Sequence, residues 1–378
     1  METVPFLDIK AQNRSLQDEL RGAFYRIMDS ASFILGDGVA QFEQDFASYC
    51  GTSECVGLNN GTTALHLALA ALGIGPGDEV ITTPQTWIST SWAISYVGAT
   101  PVFVDVDPTT FTLDAKLAER AITPNTKALL PVHLFGQAAD VSAVKMLADE
   151  HGIYLIQDAA QAHGAEFDGR RVGSFGRIGC FSFYPGKNLG CFGEGGAIVT
   201  DDYDLARRIR RLRDHAQDGR HHHVEIGYNA RMEGLQGAVL SVKLPKLNEW
   251  NDRRRQHAET YRQLLSGIDG LELPEAPLPE AHVWHLYVVL VRGINRNEFR
   301  SRLEQMGIAT GVHYPTPVPF QPAYGHLGYR PGSFPIAEDA MSHCVSLPMY
   351  PELTAEHLER VASAVRQVAT QTTTAMTR

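Results

Sequence analysis

From residue 55 to residue 200 the chain alternates short apolar runs rich in β-branched residues with stretches of helical periodicity. The apolar runs are Cys55–Leu58, Glu79–Thr83, Pro101–Val106, Ala128–His133, Tyr154–Gln157, Gly179–Phe183 and Ala197–Thr200. Between them, Thr63–Leu72 and Val141–His151 read as helices, the second opened by Asp140 as an N-cap. This alternation predicts an α/β domain with a parallel or mainly parallel central sheet flanked by helices. Arg207–Arg213 carries its charges between Leu205, Ile209 and Leu212 at helical spacing, the pattern of an amphipathic surface helix. Glu249–Ser266 reads as a long polar-faced helix and Pro274–Pro279 as a linker. Beyond it a strand over Val283–Val291, a helix over Arg296–Met306, a strand over Cys344–Met349 and a closing helix over Ala355–Val368 predict a small α+β lobe. The polar tail Thr370–Arg378 is expected to fray. The expected division is a large domain with an N-terminal arm over 1–248, and a long helix, linker and small C-terminal domain over 249–378.

The 378 residues, 44% hydrophobic and 20% charged, suit a folded chain with one large core and a second lobe. A net charge of -10 disfavours a nucleic-acid partner, which demands a basic face. No apolar run is long enough for export or membrane insertion, so a cytoplasmic protein with no membrane partner is expected. Five cysteines without a C-x-x-C pair point to reduced packing residues rather than disulfides or a zinc ribbon.

Asp158 ends a buried run in Gln157-Asp158-Ala159-Ala160-Gln161-Ala162-His163, where ligands of open α/β sheets gather. Opposite a pyridine nitrogen its charge would keep that nitrogen protonated; alone, it is equally a helix N-cap for the residues that follow. Lys187 stands in a Pro-Gly turn after the apolar run ending at Phe183, and is either an exposed turn lysine or a desolvated, reactive amine. Nearby Gly190, Gly193, Gly195 and Gly196 would let backbone pass close to a flat cofactor. Asn60-Gly61-Thr62-Thr63 opens a helix, as a phosphate cup or as plain caps, with Ser182 able to complete the cup. Trp87, beyond another strand end, is either a core residue or a flat surface for an aromatic ring.

Four segments together, Thr82–Trp87, Gln157–Gly164, Ser182–Gly190 and Gly227–Met232, resemble the DegT/DnrJ/EryC1/StrS sugar aminotransferases. The likeness runs from Pro5 to about Val368 and includes His313-Tyr314-Pro315 and Ser346–Pro351. The resemblance implies a fold-type-I pyridoxal 5'-phosphate enzyme acting as a homodimer with shared sites. It implies Lys187 as the lysine that carries the cofactor as an imine and Asp158 on the pyridine nitrogen. It further implies Trp87 stacked on the ring, Gln161 near the ring hydroxyl, and Gly61, Thr62 and Ser182 on the phosphate. Asn229 matches a residue reaching the neighbouring subunit's phosphate, and His313 and Tyr314 match the substrate entrance. Relatives often carry an aromatic where this chain has Ala230. Arg231 is a candidate for the donor's carboxylate, with a structural ion pair as the equal alternative.

The resemblance implies transfer of an amino group, from glutamate, to a ketone of a nucleotide-linked sugar, with C3 favoured slightly over C4 and a cyclitol ketone open. A dehydratase of the same fold carries histidine where this chain has Lys187. A non-catalytic cofactor-binding regulator is disfavoured by the complete residue set. A nicotinamide dehydrogenase is disfavoured because Gly73-Ile-Gly75-Pro-Gly77 stands between a helix and a strand, the reverse of the dinucleotide fingerprint. Consecutive histidines at His221–His223, with His215, cannot all face one ion, so no metal is expected and a substrate-side loop is favoured. Asp105-Val106-Asp107-Pro108 reads as a strand end and turn.

Overall fold

The computed structural model describes residues 3–277 and 281–376. All seven apolar runs pair into one sheet: β1 (Glu54–Leu58), β2 (Glu79–Thr82), β3 (Thr100–Phe103), β4 (Thr126–Leu129), β5 (Tyr154–Asp158), β6 (Ile178–Ser182) and β7 (Gly196–Thr200), in the order β1-β7-β6-β5-β4-β2-β3. The pairs β2–β3, β2–β4, β4–β5 and β5–β6 are parallel, and β7 runs antiparallel to both β1 and β6. Helices cover the sheet, which is why β7 is buried at every residue and reads as a continuous apolar run rather than an alternating one. Among them are α1 (Gly61–Ala71), α2 (Ser89–Tyr96), α3 (Val141–His151) and α4 (Tyr203–Arg213). Asn60 caps α1 by accepting the Thr63 N–H at 2.8 Å, and Asp140 caps α3 by accepting the Ala143 N–H at 3.0 Å.

Strand β3 pairs only to Phe103, short of the expected Val106, because Asp105 turns away to another task. Its carboxylate accepts the N–H groups of Ile336 and Ala337, both at 2.9 Å, and so caps α7 (Pro335–His343) across the domain. Asp107 accepts from Thr109 and Thr110 in the expected turn. In α4, Leu205, Ile209 and Leu212 face the core as the spacing predicts, but the helix is more than a surface one: Arg213 is buried.

The long helix α5 (Leu247–Leu265) leads to a three-stranded antiparallel sheet of β8 (Leu271–Glu272), β9 (Tyr287–Val291) and β10 (Cys344–Leu347), packed with α6 (Arg296–Gln305) and α8 (Ala355–Met376). Val4 bridges Ile308 and lies in the same core, so the chain's start is tied to this lobe. The run from Val283 joins the sheet only at Tyr287, because the N–H groups of Val283 and Leu286 are taken by Gly136 and Phe135 beside the large sheet. The run from Cys344 stops at Leu347, and the Met349 carbonyl turns to the buried Arg254. The tail does not fray at Thr370: the helix continues to Met376. The end of the proposed linker, Leu278 and Pro279, lies outside the described residues. All five cysteines are free and buried. Among the described residues, no helix is long and apolar enough to cross a membrane.

Candidate active site

A cavity of about 980 Å³ opens where the carboxyl ends of β5 and β6 meet the first turns of α1 and α2. Asp158, Lys187, Ser182, Trp87, Gln161 and Tyr314, far apart in sequence, share its wall. Asp158 is 5% exposed. No helix follows it, so it is not a helix cap. Its Oδ1 accepts the Ala160 N–H at 3.1 Å in a turn, and its Oδ2 accepts the Thr90 hydroxyl at 2.8 Å. Burial pushes its carboxyl above the usual carboxylate range, against the pull of these two donors and of Lys187.

Lys187 is held by a tight turn in which its N–H donates to the Tyr184 carbonyl at 2.8 Å. Its side chain is largely withdrawn into the cavity wall, not free in solvent as a bland turn lysine would be. Burial lowers its pKa to about 8, while the charge of Asp158 works in the opposite direction. The next residue anchors the turn: the Asn188 amide donates to Asn251 Oδ1 and to the Val283 carbonyl, both at 2.9 Å, and its Oδ1 meets His285 Nδ1 at 3.0 Å.

At the other end of the cavity stands the start of α1, whose first N–H groups have no acceptors within the helix. Thr62 donates its hydroxyl to Ser89 at 2.8 Å. A Cβ on Gly61 would fall 2.6 Å from Ser182 Cβ, so only glycine lets the serine lie against the helix start. Gly196 is needed for a similar reason, since a Cβ there would lie 2.4 Å from the Asn60 backbone. Its close approach is to its own chain.

Trp87 is 58% exposed on the cavity wall, which removes the reading as a core tryptophan, and its ring lies 5.6 Å from that of Tyr314. Gln161 accepts the Phe135 N–H at 2.7 Å and donates to the Tyr314 hydroxyl at 3.0 Å. His313 also lines the cavity, stacked on Phe6 with Nδ1 2.8 Å from the Ser346 hydroxyl; burial and the nearby Lys187 lower its pKa to about 4.

Residues 14–366 match the DegT/DnrJ/EryC1/StrS aminotransferase family. The chain belongs to this family. It is 47% identical, over 96% of both chains, to a dTDP-3-amino-3,4,6-trideoxy-alpha-D-glucose transaminase of Streptomyces venezuelae. It is 43% identical to a pleiotropic regulatory protein of Geobacillus stearothermophilus, over 96% of this chain and 98% of that one. The solved structure of S. venezuelae DesV in complex with a ketimine intermediate superposes with a TM-score of 0.95 at 47% identity, covering 98% of this chain and 99% of the other.

The DegT/DnrJ/EryC1/StrS aminotransferases use pyridoxal phosphate, and the donor set suits it. A helix start with hydroxyls around a cradle that a Cβ would fill matches a phosphate. A buried carboxylate with only neutral hydrogen-bond donors retains a charge to offer a pyridine nitrogen. Asn229 and Arg231 are not on the wall of their own chain's cavity; Arg231 donates to Asp214 at 3.1 Å and to the Asn229 side-chain oxygen at 3.0 Å. Gln217 and His223 bridge across the preceding loop, which carries the exposed histidines His221 and His222. Conversely, Thr86 and Tyr184 reach the site from within two of the matching segments, and Thr90, Glu194 and His285 reach it from outside them. No spacing marks Thr90, since Thr86 lies in the bend before α2 and not on the helix.

Proposed function

We propose that this chain is a transaminase that moves an amino group from glutamate to the C3 ketone of a nucleotide-linked deoxyhexose, working in the cytoplasm as a homodimer. What carries this is one cavity holding a lysine of depressed pKa and a buried carboxylate, in a chain 47% identical to a 3-amino-sugar transaminase. Bound pyridoxal phosphate supplies the electron sink for the carbon that loses its proton. Lys187 would hold the cofactor covalently, and its free Nζ is placed to take the proton from the donor's Cα and, in the second half of the cycle, to give one to C3 of the sugar. A pKa of about 8 suits both directions near neutrality. Asp158 keeps the ring nitrogen protonated, Trp87 covers the ring face and Gln161 faces the ring hydroxyl. Gly61, Thr62 and Ser182 hold the phosphate, and His313 and Tyr314 wall the sugar's entrance.

Asn229 reaches the partner's phosphate in this reading. Arg231, already paired with Asp214 and Asn229, orients that amide; binding a donor carboxylate would require it to leave Asp214. Exposed Phe24 lies 6.3 Å from Tyr25 and Trp92 6.5 Å from Tyr96, ring to ring, and such grouped apolar side chains, with Ile226 at 89% exposed, support a second copy as their cover.

The test is turnover with glutamate over a panel of nucleotide-linked 3-ketosugars and 4-ketosugars and a cyclitol ketone. Amination of the 3-ketosugars is expected, slowed by about 100-fold in Asp158→Asn, the loss typical of removing preorganised charge. Preference for a 4-ketosugar or a cyclitol would overturn the acceptor. Cofactor binding with no turnover on any ketone would point to a regulator.

A further inference from the structure

Asp158 has one side-chain partner, and that partner has its own. Thr90, 1% exposed, donates its hydroxyl to Asp158 Oδ2 at 2.8 Å; Thr86, 3% exposed, lies with its Oγ1 2.8 Å from Thr90 Oγ1. An ionised carboxylate accepts only, so the single proton of Thr90 goes to Asp158. Thr86 must then be the donor to Thr90, which leaves Thr90 no other orientation. Thr90 sits in the first turn of α2, whose first residue, Ser89, accepts the Thr62 hydroxyl at 2.8 Å from the start of α1. One short helix thus ties the carboxylate to the phosphate-cradle end of the cavity.

The other groups facing Asp158 are Lys187, Tyr314, Cys180 and the Ala160 N–H. Only Lys187 carries a charge near neutrality. Its amine is the group the cofactor engages, so it cannot serve as a permanent counter-ion. The burden of keeping a buried carboxylate charged falls on neutral donors.

We propose that Thr90, fixed by Thr86, is a positioning residue that holds the charge on Asp158 and thereby keeps the proton on the cofactor's ring nitrogen. The inference rests on Asp158 being the ring-nitrogen partner. Without the Thr90 hydroxyl the carboxylate becomes the more basic of the two groups, and the shared proton moves from the ring to Asp158.

The experiment is ¹⁵N NMR of ring-labelled pyridoxal phosphate in the holoenzyme, with turnover measured in parallel. In Thr90→Val the ring signal is expected to move toward the unprotonated value and kcat to fall about tenfold, the worth of one hydrogen bond to a charged group. The KM for the amino donor is expected to stay put. Thr90→Ser should restore both signal and rate. Thr86→Val, which leaves the Thr90 hydroxyl in place but free to turn, should give a smaller movement and keeps the test open if Thr90→Val does not fold. An unmoved ring signal in Thr90→Val, or in Thr86→Val where only that variant folds, overturns the role of Thr90 even if stability falls. An unprotonated ring nitrogen in the unaltered enzyme would overturn the assignment of Asp158 itself, a separate failure visible before any variant is made.

Discussion

Glu43 and Asp158 are both acidic residues buried in the large domain, and their surroundings differ. Glu43 accepts the Gly57 N–H at 2.8 Å and the guanidinium of buried Arg213, which also donates to the Gly57 carbonyl at 2.7 Å; Arg210 adds a second cation 3.9 Å away. Asp158 has only a hydroxyl and a backbone N–H, and Lys187 across the same cavity makes no ion pair among the described residues. In the first cluster the buried charges are paired with each other within the chain, which fixes α4 to β1. The second is incomplete, with both ionisable groups pushed toward their neutral forms. Charge left without an opposite charge in a cavity is held ready for a ligand, whereas charge paired within the fold is structural.

The comparison breaks most visibly at Lys187. Lys187→Ala removes the covalent anchor and the proton carrier together, so turnover should fall by on the order of 10⁴-fold. Folding should survive, because among the described residues the amine makes no hydrogen bond or ion pair and only the charge of Asp158 acts on it. Turnover and thermal melting of the same preparation check this: a variant that fails to fold would make Lys187 a structural residue.

The strands were legible because a doubly covered sheet demands continuous apolar runs, and all seven of them pair. Their ends were less so, since they depend on what else competes for the backbone: Asp105 leaves β3 to cap α7, and Val283 and Leu286 bond to Gly136 and Phe135 before β9 begins. Lys187, Asp158, Gly61 and Ser182 were visible because each stands at a strand end or a helix start. Thr90 and His285 were not, since a threonine in a short helix or a histidine before a strand carries no mark until packing brings it to the cavity. Arg213 was read as part of a solvated face, because helical spacing shows which side of a helix is apolar and not which charge at its edge finds a buried partner.

A smaller effect tests the ion-paired cluster. Arg213→Met leaves Glu43 buried with Arg210 at 3.9 Å as its remaining cation, and should cost about 3 kcal/mol of stability in denaturant titration. The folded fraction should retain its turnover per bound cofactor. A loss of turnover beyond the loss of folded protein would couple the two clusters and erase the distinction between them.

The last effect is the most discriminating, because it depends on pH in only one of the clusters. Lysine in the unfolded chain holds its proton to about 10.5, while folded Lys187 gives it up near 8. Between these values the unfolded chain binds the extra proton, so Lys187 makes stability rise with pH across that window; below 8 both states are protonated and the penalty of burying the ammonium is constant. In cofactor-free protein, Lys187→Met should therefore be more stable than the parent at pH 7. The gain should be about 3 kcal/mol, the worth of the interval between the two values, in which the pull of Asp158 is already counted. The advantage should shrink from pH 8 upward and vanish by about 10.5. Arg213→Met should show no such slope, because a guanidinium does not titrate in that range. Measuring both variants against the parent from pH 7 to 10 by denaturant unfolding cancels the other groups that titrate. A flat difference for Lys187→Met would mean that the folded lysine keeps an ordinary pKa, and the contrast between a paired and a waiting charge would then rest on Asp158 alone.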